Sequence, residues 1–144
     1  MSILMTPSMA NFSGNVHGGD LLKLLDQVAY ALSARYSGKD VVTLSVDRVL
    51  FKNPIPIGTL VTFLASVNYT GKTSMEIGIK VISEDIQKHT VTHTNSCFFT
   101  MVAVDDNGKP TLVEPFIPQS NDEQRRWEKA KKRREDSLKI RKYN

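Results

Sequence analysis

The pattern of hydrophobic and polar positions changes its period once, near residue 40. Upstream, residues 20–38 carry apolar side chains around most of a helical circumference and leave a narrow polar stripe. Downstream, apolar and polar residues alternate, which is typical of strands with one buried face. A long, mostly buried helix followed by a sheet is therefore predicted. The polar stripe consists of Lys23, Asp26, Gln27 and Tyr30.

The strands are expected, in chain order, at residues 3–5, 41–51, 60–69, 75–81 and 91–104. Turn-forming residues separate them, as in the stretches 53–58, 70–72 and 105–108. The links between the last three long strands are short enough to require antiparallel hairpins. One long helix followed by an antiparallel meander predicts an α+β fold for residues 1–120.

The last segment, residues 121–144, differs in composition from the rest. It holds 10 of the 19 Lys and Arg residues and only 5 of the 15 Asp and Glu residues, so the net charge of +4 comes from this segment. Ser120 followed by Glu123 fits a capping box and predicts a helix over residues 121–142. With few apolar side chains to bury, this basic tail is expected to pack weakly at its start and to fray at its end. Because the excess of positive charge is confined to it, nucleic-acid binding is not expected of the preceding domain, residues 1–120.

The composition favours a cytoplasmic protein. Cys97 is the single cysteine, so no internal disulfide can form. No stretch approaches the roughly 20 apolar residues that a membrane-spanning helix needs. Residues 1–11 have neither the basic leader nor the apolar core of a signal peptide. No membrane association is expected.

Candidate chemistry concentrates in the residues just before the helix. Adjacent Gly18 and Gly19 would let a ligand approach the backbone, and N–H groups at a helix N-terminus attract an anion or a developing oxyanion. A glycine-assisted loop entering a helix is the alternative. Asn11 can orient a water or a carbonyl, or serve as a turn residue. His17 can act as a general base, or as an exposed or structural imidazole.

Asp26 is the second candidate, because a carboxylate within a largely apolar helix must be hydrated, paired or functional. The alternative for it is a solvated place in the polar stripe. Eight residues separate Gly18 from Asp26, about 12 Å along one helix, so the two cannot serve the same small group. Two such helices packed antiparallel across a two-fold axis would bring them together, which implies a dimer.

Other common sites do not match the sequence. His89 and His93 fit no zinc spacing, and Cys97, in an alternating strand, fits a packed thiol. The Gly-x-Ser-x-Gly elbow and the phosphate-loop and dinucleotide signatures are absent. No metal site is predicted.

The stretch Asn11-x-x-Gly-Asn-Val-His-Gly-Gly-x-Leu-Leu-x-Leu-Leu-Asp26 resembles the signature of the cytosolic acyl-CoA hydrolase family of hotdog thioesterases. The likeness continues through residues 42–47, 51–58, 70–76 and 98–104 and the charged C-terminal helix, and so covers nearly the whole chain. Each fragment alone is unspecific, but the combination is specific.

The resemblance implies a hotdog fold, in which a curved antiparallel sheet wraps one long helix, and a homo-oligomer that is at least a dimer and expected to be a hexamer built as a trimer of dimers. It implies an acyl-CoA thioesterase that hydrolyses fatty acyl-CoA to free fatty acid and CoA at sites between subunits. The CoA belongs to the substrate, and no cofactor is implied.

The resemblance also assigns residues to that site. Gly18 or Gly19 offers a backbone N–H to the thioester carbonyl. Asp26 of the facing protomer acts as general base or nucleophile, while Asn11 orients water or substrate. Contacts with the substrate are implied for His17 and, in a CoA-binding turn, for Gly71, Lys72, Thr73 and Ser74.

Two other functions are compatible with the sequence. A hotdog dehydratase acting on hydroxyacyl thioesters would need His17 as its base, but the spacing from this histidine to an acid does not match the expected dehydratase pattern. A non-catalytic acyl-CoA sensor would bind its ligand in the same groove and contact nucleic acid through the basic tail, although no helix-turn-helix is present.

Overall fold

One long helix lies against a five-stranded antiparallel sheet, and a second long helix follows the last strand. The computed structural model describes residues 1–143. A short 3₁₀ turn, Pro7–Met9, precedes the first helix. The other elements, in chain order, are β1 (Ser2–Leu4), α1 (Gly18–Ser37), β2 (Asp40–Asp47), β3 (Leu60–Thr70), β4 (Ser74–Asp85), β5 (Thr90–Val104) and α2 (Asn121–Tyr143).

The strands lie in the order β1-β3-β4-β5-β2, and every neighbouring pair is antiparallel. β3, β4 and β5 form the two consecutive hairpins that the short links predicted. β1 and β2 are the two edges of the sheet. The predicted α+β fold, a long helix against a curved antiparallel sheet, is confirmed.

The core lies between α1 and one face of the sheet. From the helix, Leu21, Leu25, Val28 and Ala29 are buried there. The opposite side of α1 is not covered, because Leu22, Asp26 and Tyr30 are exposed. The sheet of one chain thus covers only part of the apolar surface that the sequence predicts for α1. The strand residues in the core are Val41, Val61, Phe63, Met75, Ile77, Ile79, Val81, Cys97, Phe99, Met101 and Ala103.

β2 is shorter than predicted. The strand expected over residues 41–51 ends at Asp47. Arg48 has a left-handed backbone, with φ of 53°, which breaks the extended conformation that strand pairing needs. The residues beyond it, including Phe51, therefore leave the sheet and turn towards the start of α1, where the Phe51 ring lies next to Gly18.

β2 also contains a bulge between Thr43 and Ser45, where its register against β5 shifts. Thr43 pairs with Met101 and Val46 pairs with Phe99. Both partners are buried in the core. Thr43 and Val46 therefore face the same side of the sheet, whereas strict alternation would put them on opposite sides.

α2 begins with the predicted cap, since the Glu123 N–H donates to Ser120 Oγ at 3.1 Å. The middle turns of this helix, for which the sequence made no prediction, are packed against the sheet. The Trp127 ring lies 5.3 Å from that of Tyr69 on β3, Ala130 is fully buried, and Arg133 forms an ion pair with Glu76 on β4 at 2.7 Å. Polar and aromatic contacts hold this helix against the sheet. A count of aliphatic residues in the sequence does not include such contacts.

No helix within residues 1–143 has both the length and the apolar character to cross a membrane.

Candidate active site

The loop before α1 is a closed hairpin that ends at the helix. Ala10 and Val16 form an antiparallel bridge, the Asn11 N–H donates to the Asn15 carbonyl at 2.7 Å, and the His17 N–H donates to the Met9 carbonyl at 2.7 Å. These bonds hold the loop against the first turn of α1. The residues that the sequence singled out on either side of the loop thus belong to one local unit.

Asn11 uses its side-chain oxygen inside this loop. Oδ1 accepts the N–H groups of Ser13 at 2.9 Å and Asn15 at 3.1 Å. Since two backbone donors identify the oxygen, the other end of the amide is Nδ2, which carries two hydrogens. Nδ2 has no hydrogen-bond partner within residues 1–143, so Asn11 can only donate to a ligand.

His17 caps α1. Its Nδ1 accepts the Gly19 N–H at 3.0 Å, so the cap needs Nδ1 without a proton. One of the first N–H groups of the helix is thereby satisfied. Nε2 points away from this contact. The implied contact of His17 with substrate stays a prediction.

The two glycines differ in what they can offer. The N–H of Gly19 is occupied by His17, whereas the N–H of Gly18 has no acceptor among the residues that the structure describes. A Cβ at Gly18 would lie 3.6 Å from the Phe51 ring, so an aromatic side chain lies next to this donor. Gly18 is therefore the residue that can donate to an incoming oxygen.

Replacing His17 by alanine is expected to destabilise the protein by about 1 kcal/mol through loss of the helix cap. Asparagine is a preferred capping residue, so His17→Asn should keep most of that stability. Urea unfolding followed by circular dichroism, at equal protein concentration, measures both variants. Equal destabilisation by the two substitutions would argue against the capping role.

Asp26 lies on the exposed side of α1, where the helix passes β2. Its Oδ1 accepts the hydroxyl of Thr43 at 2.6 Å. Thr43 faces the helix side of the sheet, because it alternates with the buried Val41 and pairs with the buried Met101. Thr43 was not among the residues proposed from the sequence. The sequence shows a threonine at position 43, but it does not show that this threonine contacts Asp26.

Apolar side chains are exposed on the open side of α1, on the free edge strand β2 and on the segment after it. Val42, next to Thr43 in β2, lies on the face of the sheet opposite to α1. A free edge strand with apolar side chains presents unpaired backbone groups and apolar area to another chain. The exposed apolar residues here are Leu22, Tyr30, Val42, Leu44, Val46, Leu50 and Phe51.

The turn between β3 and β4 carries the other predicted substrate contacts. It is closed by the Gly71 N–H, which donates to the Ser74 carbonyl at 2.9 Å. Lys72 is exposed and Thr73 is half-buried. Ser74 is buried, and its Oγ accepts a hydrogen bond from Arg134 of α2 at 2.5 Å. The structure thus brings Gly71 and Ser74 together under the C-terminal helix and leaves Lys72 open to solvent.

Cys97 is an unsuitable nucleophile. Its side chain is fully buried in the core, and burial raises the pKa of the thiol to about 11. The thiol is therefore protonated at neutral pH, when only the thiolate is reactive. This agrees with the packed role expected from its strand position.

A curled antiparallel sheet around one long helix is the hotdog architecture, and the comparisons with known proteins agree with it. The model of the thioesterase superfamily matches residues 13–89. Protein VdlD of Helicobacter pylori is 60% identical over 94% of this chain and 77% of its own. The cytosolic acyl coenzyme A thioester hydrolase of Rattus norvegicus is 35% identical over 90% of this chain, which spans 35% of that longer protein. The chain belongs to the thioesterase superfamily.

Solved structures show the same likeness. An apo-hexameric acyl-CoA thioesterase superimposes with a TM-score of 0.92 at 35% identity, over 97% of this chain and 90% of that one. An acyl-CoA hydrolase from Staphylococcus aureus, solved with butyryl coenzyme A and coenzyme A, has a TM-score of 0.82 at 29% identity, over 99% and 92%. Further structures of that enzyme carry alanine in place of an asparagine, a threonine or an aspartate.

Proposed function

We propose that this protein is an acyl-CoA thioesterase that hydrolyses fatty acyl-CoA to free fatty acid and CoA. The observation that carries the proposal is a pair of groups on α1, one at its first residue and one about two turns further along. One is an unoccupied backbone N–H at Gly18, and the other is the carboxylate of Asp26 held by the Thr43 hydroxyl. An oxyanion donor and a base are what thioester hydrolysis requires.

The spacing of three residues supports this assignment. In the Staphylococcus aureus hydrolase, the residues replaced by alanine lie fifteen apart from asparagine to aspartate and seventeen apart from aspartate to threonine. Asn11, Asp26 and Thr43 have the same two separations in this chain. We infer that these three residues form the corresponding set here.

The proposed reaction proceeds in two steps. Asp26 takes a proton from a water whose oxygen attacks the thioester carbonyl carbon, and the Gly18 N–H, at the positive end of the helix, stabilises the resulting oxyanion. The carbonyl then re-forms as the C–S bond breaks, and the leaving thiolate of CoA takes up the proton held by Asp26, which restores the carboxylate. Asn11 donates through Nδ2 to the water or to the carbonyl. These groups meet the needs of the reaction without a cofactor.

A direct attack by Asp26 on the carbonyl is the alternative route, and ¹⁸O found in Asp26 after a single turnover would identify it. In a single turnover in H₂¹⁸O, a general base leads to one ¹⁸O in the fatty acid and none in the protein. A nucleophilic aspartate would form an anhydride with the acyl group, whose hydrolysis at the aspartyl carbon leaves ¹⁸O in Asp26. Mass spectrometry of the peptide that contains Asp26 detects the label.

The proposed site lies between two protomers. Gly18 and Asp26 of one helix are about 12 Å apart, so one thioester cannot touch both within a chain. The open side of α1 and the apolar edge strand β2 are adjacent, and a two-fold pairing at this surface would put Asp26 of one protomer near Gly18 of the other. We propose a dimer of this kind, assembled into a hexamer as in the hexameric relatives.

We propose that the CoA part of the substrate contacts the β3–β4 turn through Gly71, Lys72, Thr73 and Ser74. Thr70 at this turn lies in one row of the sheet with Met75, Met101 and Thr43. Three strand spacings, about 14 Å, separate Thr43 from Thr70. The pantetheine arm of CoA separates its thioester from its phosphates by a distance of this order, and Lys72 supplies a positive charge there. A cytoplasmic location, as in the cytosolic relative, completes the proposal.

Substituting Thr43 by valine is expected to lower kcat by roughly 10- to 100-fold, the cost of a hydrogen bond to a charged group. Valine keeps the volume of threonine but cannot donate to Asp26. Thr43→Ser retains the hydroxyl and should remain within a few-fold of the unaltered protein. Steady-state hydrolysis assays on both variants test this, and equal losses would point to packing of the methyl group instead.

Release of free thiol from acyl-CoA of increasing chain length is the direct test of the proposed function. Turnover with at least one chain length is the expected result. Loss of water from a hydroxyacyl thioester with no thiol released would favour the dehydratase. Tight acyl-CoA binding without turnover, together with salt-sensitive DNA binding that is lost when residues 121–144 are deleted, would favour the sensor.

A further inference from the structure

We propose that Arg134 of α2 is a positioning residue for substrate, which holds the β3–β4 turn in the shape that receives the phosphate-bearing part of CoA. The inference rests on the proposed function, because it assigns the turn to CoA. It makes the C-terminal helix a part of the substrate site, whereas the sequence suggested a charged helix that packs weakly at its start and frays at its end.

The contact between Arg134 and the turn is close and specific. Nη1 of Arg134 donates to Ser74 Oγ at 2.5 Å. A Cβ built at Gly71 would lie 2.5 Å from the same Nη1 and 2.7 Å from Ser74 Oγ. A side chain at Gly71 would require the guanidinium to move. The guanidinium therefore occupies the space that the glycine leaves, next to Gly71 and bonded to Ser74.

The position of Arg134 is fixed by its neighbours on α2. Arg133 donates two hydrogen bonds to Glu76, at 2.7 and 3.1 Å, and its guanidinium lies 3.6 Å from the centre of the Phe98 ring. Glu76 also accepts from Asn68 at 3.1 Å. Bidentate pairing of this kind restricts the arginine to one orientation. Because Arg133 and Arg134 are consecutive, the anchored helix delivers Arg134 to the turn.

The charge of Arg134 is not neutralised by the protein. Arg133 pairs with Glu76 and Arg125 with Asp122, whereas Arg134 has no carboxylate partner in the described part of the chain. Lys72 adds a second positive charge in the β3–β4 turn, which Arg134 contacts. A fixed turn with uncompensated positive charge suits a phosphate group, since such groups prefer pre-organised cationic donors.

The test compares two thioesters that differ only in the nucleotide. Acyl-CoA carries the phosphates, and the same acyl group on pantetheine lacks them. For Arg134→Ala we expect KM for acyl-CoA to rise about tenfold with kcat unchanged, while KM for acyl-pantetheine stays within about twofold. An unchanged KM for acyl-CoA, or an equal rise with both substrates, would overturn the proposal.

Lys132→Ala is the matched control, because it removes the same charge from an exposed position on the same helix. It should leave both KM values within about twofold, whereas an effect as large as that of Arg134→Ala would reduce the role of Arg134 to bulk charge. Ser74→Ala tests the positioning contact itself. If the two residues act through one contact, the double variant Arg134→Ala with Ser74→Ala should raise KM by less than the product of the two single effects, and additive losses would contradict coupling.

Calorimetric binding of CoA keeps this inference separate from the proposed function. If the unaltered protein binds CoA but releases no thiol, thioester hydrolysis fails, and weaker binding of CoA by Arg134→Ala still supports the positioning role. If the unaltered protein hydrolyses acyl-CoA and Arg134→Ala behaves identically, only the positioning role fails. If the unaltered protein does not bind CoA, both fail.

Discussion

Replacing Asp26 by asparagine is expected to lower kcat for acyl-CoA hydrolysis by about 10²- to 10⁴-fold, the usual contribution of a general base. Asparagine has the same shape as aspartate, and its amide oxygen can still accept the Thr43 hydroxyl. The substitution thus removes the base and leaves its surroundings in place. Steady-state thiol release, with circular dichroism to verify the fold, measures the effect.

Asp106→Asn is the control for this variant. Asp106 is an exposed aspartate in the turn after β5, outside the proposed site. Its replacement changes the net charge by the same amount and should leave kcat unaltered. Full activity of Asp26→Asn would remove Asp26 from the mechanism, and with it the reason to place the site between protomers.

Mixing two inactive variants is expected to restore about a quarter of the activity of the unaltered protein. In the proposed site, Asn11 of one protomer works with Asp26 of its partner. Random reassociation of Asn11→Ala and Asp26→Ala chains gives half mixed dimers, and each mixed dimer has one site with both residues intact. If both residues served a site within a single chain, no mixed dimer could have an intact site.

The mixing experiment requires subunit exchange, by co-expression or by denaturation and refolding of the mixture. Each variant refolded alone is the control, and both should stay inactive. Mixing the two preparations without exchange gives the baseline. Mixed dimers, verified by differently tagged chains, that show no recovered activity would contradict the shared site, even if both variants are individually inactive.

The sequence predicted those features of the site that depend only on residues close together in the chain. The Gly-Gly pair before an amphipathic helix placed Gly18 at a helix N-terminus, and the geometry of a helix showed that Asp26 could not act beside it in one chain. The structure confirms the first point, with α1 beginning at Gly18. The assignment of Asn11 and Asp26 to catalysis, and of residues 71–74 to CoA, stays a prediction.

Three features of the site depend on contacts that cannot be inferred from the order of hydrophobic and polar residues. The choice of Gly18 over Gly19 as the free donor follows from where the His17 ring lies. The contact of Thr43 with Asp26 follows from the face that β2 turns towards α1, which carries Val41 and Thr43 and not Val42. The contact of Arg134 with Ser74 joins residues 60 positions apart. Each depends on how separate segments meet in space.

The periodicity of the chain was sufficient for the helix, the antiparallel strands and the α+β fold, because helix and strand formation depend on neighbours a few residues away. Packing was needed to show what surrounds each functional group. Hydrogen bonds between distant segments depend on bulges, side-chain orientations and helix docking, and none of these has a fixed spacing along the chain. For this reason the sequence indicated a basic helical tail, and the folded chain shows where that helix docks, over the turn that we assign to CoA.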